Sequence, residues 1–166
     1  MAEGNFTDES IDSVDIKILK ELQQNGKLTI KELAERVGLS TSPVHERQRR
    51  LEQLGYIKGY RAILNPKKVG CNMIVLCNIR LKQHSRQHGL EFVEAVNGID
   101  EVRECWNTSG EYDYLMKLHV KDMDHYQDFV LNTLGTLDCI GSLHSIFVIG
   151  EVKNSYSLPI YLMERG

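Results

Sequence analysis

The fold is decided by residues 30–54, IKELAERVGLSTSPVHERQRRLEQL, which have the pattern of two short helices in succession. Leu33 and Val37 lie on one side of the first helix, and Val44 and Leu51 lie on one side of the second, as a period of 3.6 requires. Because few residues separate the two apolar patterns, a tight turn must join the helices. This arrangement is typical of a helix-turn-helix domain, whose second helix enters the major groove of DNA.

Local signals mark where each of these helices begins and ends. Thr29 and Glu32 have the spacing of a capping box, in which each side chain accepts a hydrogen bond from the other residue's backbone N–H. Gly38 can adopt the positive φ that ends a helix. Ser40 is then expected to cap the second helix, with Pro43 in its first turn, where the missing N–H of proline costs nothing.

The polar side of the second helix carries side chains suited to DNA. Ser, Glu and Arg can hydrogen-bond base edges, and Arg can also bind phosphate. From Arg36 to Lys68 there are eight Lys or Arg residues against two acids, on a chain whose net charge is −3. We therefore expect a local DNA-contacting surface rather than an ordinary solvated helix face. The residues predicted to contact DNA are Ser40, Ser42, His45, Glu46, Arg47, Arg49 and Arg50.

A third helix is predicted before this pair. Asp12 can cap it, with Asp15 at the third position, and Ile11 and Ile16 have the spacing of a hydrophobic staple. Asn25-Gly26 then ends the helix. Three helices of this size suffice for a DNA-binding domain, but their shared core is small.

Composition is that of an ordinary globular protein that is neither secreted nor membrane-spanning. No apolar run approaches the length that crosses a bilayer, and the polar, acidic residues 1–10 do not resemble a secretory signal. The four cysteines form no CxxC pair, so we expect reduced, mostly buried thiols in a cytoplasmic protein. His84 and His88 have helical spacing, but no acidic or Cys ligands accompany them, so neither a metal nor a cofactor is predicted.

The second half alternates between strand and helix patterns in the order β-α-β-β-α-β, which predicts a ferredoxin-like domain. The predicted elements are strand 72–81, helix 87–96, strands 102–109 and 114–120, helix 123–134 and strand 140–152. The two helices would cover one face of the sheet and leave an apolar face to pair with a second copy. The predicted fold is α+β. It comprises a flexible tail (1–10), a three-helix winged-type helix-turn-helix domain (11–55), a β-strand linker (56–70), a ferredoxin-like effector and oligomerisation domain (71–158) and a C-terminal tail (159–166).

Three motifs, in this order and spacing, resemble the Lrp/AsnC family of transcriptional regulators, also called feast/famine proteins. They are Ile11-Asp12 with Asp15, Lys17, Ile18 and Leu19; LAERVGLS followed by Pro43-Val44 and ERQRRLEQLGYIKGY; and TSGEYDY at 108–114. The resemblance covers Ile11 to about Leu158. It implies sequence-specific regulation of transcription by a homodimer, commonly assembled to an octamer, that binds an amino acid at subunit contacts of the second domain.

The third motif carries the effector residues that the resemblance implies. Gly110 would allow close approach to the ligand, Asp113 would pair with its α-amino group, and neighbouring amides would take its carboxylate. Where the family usually has two Thr at the start of the last strand, this chain has Leu143 and Ser145. The expected effector residues are Thr108, Gly110, Tyr112, Asp113, Tyr114 and Ser145.

Three other functions remain open from the sequence. The first is an architectural protein that compacts DNA with little ligand control. The second is an enzyme like the haem-pathway decarboxylases of similar architecture, against which the basic face at Arg47, Arg49 and Arg50 argues. The third is an assembly module or corepressor that needs no DNA contact of its own. Tyr112-Asp113-Tyr114 could also be a purely structural turn at an oligomer contact.

Overall fold

The computed structural model describes residues 11–161, so the tail predicted at residues 1–10 lies outside them. The elements in chain order are α1 (Ser13–Gln24), α2 (Ile30–Val37), α3 (Thr41–Gln53), β1 (Met73–Leu81), α4 (Arg86–Asn97), β2 (Val102–Asn107), β3 (Tyr114–Val120), α5 (Met123–Asn132) and β4 (Ile140–Phe147). Short 3₁₀ turns lie at Pro66–Val69 and Leu134–Thr136. None of the helices among residues 11–161 is long and apolar enough to cross a membrane.

The described chain divides into two compact units. The helical unit contains residues 11–62 and 153–161, and the sheet unit contains residues 63–152. This division differs from the predicted boundaries, because residues 153–158 were assigned to the second domain. Leu158 instead hydrogen-bonds Gln23 of α1, and Ile160 packs against the core of the three helices.

The sheet unit has the predicted ferredoxin-like order. Its antiparallel strands are arranged β2-β3-β1-β4, and α4 and α5 cover one face. Side chains of β1 alternate, with Val75, Cys77, Ile79 and Leu81 buried beneath the helices and the intervening residues partly exposed. The α+β fold class predicted from the sequence is therefore confirmed.

Two features of the sheet unit differ from the sequence-based expectation: the end of the last strand and the exposure of one cysteine. The last strand ends at Phe147 rather than at residue 152, and Ile149 and Val152 are fully exposed. Of the cysteines, Cys77 and Cys139 are buried, but Cys105 is exposed in β2. Partial desolvation of its sulfur in the strand nevertheless raises the pKa of the Cys105 thiol.

No strand forms between residues 56 and 70, where the strand linker was predicted. A strand needs a partner backbone, and this segment is held in another way. The backbone N–H of Ile57 donates to the carbonyl of Leu51, and the side chain of Tyr60 contacts α3.

The helical unit begins with the predicted cap. Asp12 Oδ1 accepts from the backbone N–H of Val14 and of Asp15, and Asp15 Oδ2 accepts from the N–H of Asp12 at 3.1 Å. The hydrogen bond from the backbone of Asp15 is the largest cause that lowers the pKa of Asp12. The sequence therefore locates the start of α1 correctly.

Asp15 also joins α1 to α3. Its side chain is fully buried, and it accepts from Arg47 Nη1 and from Arg50 Nη2, each at 2.8 Å. Arg47 Nη1 also lies 2.7 Å from Asp12 Oδ2. A buried carboxylate without such partners would be strongly destabilising, so this arrangement fixes the rotation of α3 about its axis.

The core of the helical unit is small enough for these ion pairs to matter. Among the described residues its buried cluster has eight members, against thirteen in the sheet unit. A small core buries little apolar area and therefore contributes little to the free energy of folding. Polar contacts between the helices then supply a larger share of that free energy.

We predict that Asp15→Asn lowers the free energy of unfolding by about 1–3 kcal/mol, because one of the two acceptor oxygens becomes an NH2 group that cannot accept from Arg, and the other loses its charge. The loss of stability is limited because Arg47 and Arg50 remain about a third exposed, so that solvent screens their ion pairs. Urea unfolding followed by circular dichroism measures it. Asp138→Asn makes the same chemical change at a fully exposed site and serves as the control. Equal stability of the two variants would contradict the role given to Asp15.

Candidate nucleic-acid interface and effector turn

The outward face of α3 presents most of the residues predicted to contact DNA. Ser42, His45, Glu46 and Arg49 are all exposed, and no ion-pair partner for Arg49 exists among residues 11–161. Ser40 is the N-cap residue as predicted, but its hydroxyl makes no capping hydrogen bond. Its exposed side chain is therefore available to a ligand.

Two of the predicted DNA-contacting residues point elsewhere. The guanidinium groups of Arg47 and Arg50 are engaged by the buried carboxylate of Asp15. Hydrogen bonds to Asp15 and then to Asp12 are the largest causes that raise the pKa of Arg47. The structure therefore places both guanidinium groups against the start of α1, and DNA contact by Arg47 and Arg50 stays a prediction.

The flank of α3 that carries Gln48 and Glu52 is also held by a residue of the segment after α3. Tyr60 Oη donates to Glu52 Oε1 and accepts from Gln48 Nε2, both at 2.8 Å. The Tyr60 ring lies against Gly26, where a Cβ would come within 3.2 Å of the ring. Partial burial, followed by the carboxylate of Glu52, raises the pKa of Tyr60 to about 12, so the phenol stays a donor at neutral pH.

The hairpin between β2 and β3 forms the second candidate site. The backbone N–H of Thr108 donates to the carbonyl of Asp113, and the Thr108 hydroxyl donates to the carbonyl of Tyr112, each at 2.9 Å. Gly110 has a φ of 117°, which side chains rarely adopt. Within residues 11–161, the N–H groups of Ser109, Gly110 and Glu111 have no hydrogen-bond partner. The turn thus offers exposed donors at its tip.

Asp113 holds this turn to the end of β1. Its Oδ2 accepts from the backbone N–H of Leu81 at 2.8 Å, and its Oδ1 lies 2.9 Å from Nδ1 of His84. The side chain of Asp113 is only 16% exposed, whereas that of His84 is 77% exposed. One carboxylate oxygen is therefore structural, and the other has a partner that solvent can replace.

The aromatic residues beside Asp113 lie on opposite sides of the sheet. The Tyr112 ring stacks on His144 with centroids 6.1 Å apart and lies 5.6 Å from the guanidinium carbon of Arg80. Tyr114 packs against Phe92 of α4, with ring centroids 4.5 Å apart. Only Tyr112 therefore faces the uncovered side of the sheet.

Ser145 does not join the effector turn. It is paired with Cys77 in the sheet register, and its hydroxyl hydrogen-bonds Tyr126 beneath α5. Asp113, by contrast, contacts Leu81, four residues farther along β1. Four strand residues span about 13 Å. Ser145 and Asp113 are therefore not brought together within one chain, and the effector role of Ser145 stays a prediction.

Several residues of both sites were missed from the sequence. Arg80 donates to the backbone carbonyl of Glu111 at 3.1 Å and to its carboxylate at 3.0 Å, which clamps the turn. Gly141 lies so close to Leu81 that a Cβ would be 3.0 Å from its carbonyl oxygen. These contacts depend on strand register, which sequence periodicity does not give. No group of three or more His, Cys, Asp or Glu among the described residues is placed to hold a metal ion.

We predict that Tyr60→Phe weakens DNA binding about threefold to tenfold. Without the hydroxyl, Gln48 and Glu52 lose these hydrogen bonds, and α3 is held less firmly. Fluorescence anisotropy with a labelled duplex measures the affinity. Tyr56→Phe is the matched control, because Tyr56 is similarly exposed and makes no such contact. If both variants bind DNA like the unchanged protein, Tyr60 does not position α3.

Comparison with family models assigns each unit a type. A model described as winged helix-turn-helix DNA-binding matches residues 11–58, and the model of the Lrp/AsnC ligand binding domain matches residues 74–158. Together they cover both the exposed face of α3 and the 108–114 turn.

Individual relatives agree over nearly the whole chain. The leucine-responsive regulatory protein of Haemophilus influenzae is 39% identical, and the alignment covers 91% of each chain. A transcriptional regulator of Neisseria meningitidis, solved as its L-Met complex, has a TM-score of 0.88 at 37% identity and covers 90% of this chain and 97% of its own. Escherichia coli AsnC has a TM-score of 0.80 at 28% identity, covering 87% of this chain and 96% of its own. The chain therefore belongs to the Lrp/AsnC family of ligand-modulated, DNA-binding transcriptional regulators.

Proposed function

We propose that this regulator reads DNA with the exposed face of α3 while Arg47 and Arg50 keep that helix in position. The observation that carries the proposal is the placement of the three arginines of α3. Arg47 and Arg50 bind the buried carboxylate of Asp15, whereas Arg49 faces outward. An outward Arg on a recognition helix can make two hydrogen bonds to guanine. Ser42 and Glu46 flank it as further donors or acceptors for base edges.

We propose that the protein acts as a dimer formed through the uncovered face of its sheet. Trp106 and Ile146 are 43% and 44% exposed, and both belong to the rows of side chains that face away from α4 and α5. Leu76 is the register partner of Ile146, and Leu115 is the partner of Trp106, so each exposed residue has an apolar neighbour on the next strand. A two-fold dimer would place two α3 helices about one DNA turn apart.

We propose an amino acid as the effector, bound at the 108–113 turn. The relative from Neisseria meningitidis was solved with L-Met, which supports this ligand class. The unpartnered N–H groups of Ser109 to Glu111 suit a carboxylate, and Asp113 Oδ1 suits an ammonium that displaces the exposed His84. Asp113 Oδ2 would remain on Leu81 throughout.

Selection of binding sites from a pool of random duplexes tests the assignment as a sequence-specific regulator. The proposal predicts enrichment of paired half-sites spaced by about one helical turn. Retention of DNA without any sequence enrichment would instead favour the architectural function, since backbone contacts alone carry no sequence information.

We predict that Arg49→Ala weakens binding to the selected duplex about tenfold to hundredfold while it weakens binding to random DNA much less. Arg61→Ala removes an exposed Arg outside α3 and is the control for charge alone. An equal loss on both duplexes would reassign Arg49 to a phosphate contact.

We predict that Trp106→Glu converts the dimer to a monomer, because an unpaired charge would be buried in the apolar interface. Analytical ultracentrifugation measures the mass. Leu131→Glu places the same charge on an exposed position of α5 and should leave the assembly unchanged. A dimer that survives Trp106→Glu with unchanged affinity excludes this face.

We predict that one or more of the twenty amino acids raises the thermal unfolding temperature, and that Asp113→Asn abolishes this shift. Asn keeps an acceptor for the N–H of Leu81 but loses the charge that pairs with an ammonium. His84→Ala removes the competing partner and should preserve or strengthen the shift. If Asp113→Asn responds to ligand like the unchanged protein, the effector does not bind Asp113.

A further inference from the structure

The end of the described chain returns to the helical unit after it has left the sheet. Beyond β4, the residues from 149 to 159 are exposed, and Ile149 and Val152 are fully so. Leu158 and Ile160 then contact the helical unit, to which residues 153–161 belong. This exposed segment mixes polar residues with apolar ones, and it ends in a specific contact with the helical unit.

The contact at Leu158 is a paired hydrogen bond. The backbone N–H of Leu158 donates to Gln23 Oε1 at 2.6 Å, and Gln23 Nε2 donates to the carbonyl of Leu158 at 3.3 Å. The side-chain amide of Gln23 thus pairs with the backbone of Leu158 as a neighbouring strand would. Its oxygen accepts from the N–H, and its nitrogen donates to the carbonyl. This fixes where along α1 the segment lies.

Ile160 supplies the apolar part of the contact. It is partly buried against the core of the three helices, together with Ile57 from the segment after α3. The same residues line a cavity of about 680 Å³ between α1, Tyr56–Tyr60 and Leu158–Tyr161. Residues 158–161 therefore form one wall of this cavity in the helical unit.

Both elements that line the cavity with this wall are supports of α3. On α1, Asp15 binds Arg47 and Arg50, and in the segment after α3, Tyr60 binds Glu52. We propose that residues 158–160, here named the C-terminal clasp, position the recognition helix by holding α1 and Tyr56–Tyr60 together. Gln23 and Ile160 are its positioning residues.

The connectivity of the chain gives the clasp a regulatory consequence. The polypeptide passes from the helical unit to the sheet unit at residues 62–63 and returns at 152–153. With the clasp closed, the DNA reader is tied to the ligand-binding domain through both ends of that domain. The clasp therefore joins the segment that leaves the sheet unit to α1, whose Asp15 supports α3.

Variants of the full chain test the clasp. Gln23→Met removes both hydrogen bonds at nearly constant length, and Ile160→Ser removes the apolar anchor. Ser157→Ala in the same segment and Leu131→Ser on exposed α5 are the matched controls. Amide hydrogen exchange at Leu158 reports clasp opening, and anisotropy with the selected duplex reports DNA affinity.

We expect faster exchange at Leu158 and DNA binding about threefold to tenfold weaker in Gln23→Met and Ile160→Ser, with no change in the controls. Unchanged DNA affinity in variants whose clasp has opened would overturn the proposal. So would exchange at Leu158 that is already unprotected in the unchanged protein. The proposal rests on DNA binding, and failure of that function would appear separately as no affinity in any variant.

Discussion

The buried carboxylate of Asp15 is the interaction on which the DNA-reading half depends. It completes the N-terminal cap of α1 through the N–H of Asp12 and receives the guanidinium groups of Arg47 and Arg50. One side chain therefore helps to cap the start of one helix and orients another. A buried ion is costly unless every lone pair is used, so the geometry permits few rotations of α3. Arg49, one position from Arg50, is directed outward as a result.

The ligand-binding half repeats this principle in a different place. Asp113 is largely buried, and its Oδ2 holds the N–H of Leu81 where β1 ends. Arg80 clamps the other side of the same turn through Glu111. The turn is thus rigid at its base, while its tip keeps exposed amides. In the proposed mechanism, an amino acid would bind to a preformed surface and exchange only with the solvent-exposed His84.

Sequence reasoning succeeded where structure is local. The capping boxes at Asp12 and Thr29 and the positive φ of Gly38 follow from residues three or four apart, so α1 and α2 begin and end where predicted. Strand and helix periods also gave the ferredoxin-like order. In contrast, Arg47 and Arg50 look like DNA ligands until α1 is placed beside them, because the partner carboxylate lies over thirty residues away in the chain.

The remaining differences also arise from contacts between residues that lie far apart in the chain. Ser145 has the position of a ligand residue in the sequence, yet strand alternation turns it toward Tyr126. The return of Leu158 to Gln23 spans 135 positions and leaves no periodic signal. Gly26 was predicted only to end α1, and Gly141 only falls within the last predicted strand; the packed structure shows that each lies close to a neighbouring group.

The most direct test of the account is a crystal structure of the protein bound to its selected duplex. The account predicts that Arg49 contacts base edges in the major groove while Arg47 and Arg50 remain on Asp15. A complex in which Arg47 or Arg50 leaves Asp15 to contact bases would contradict the division of roles among the arginines of α3.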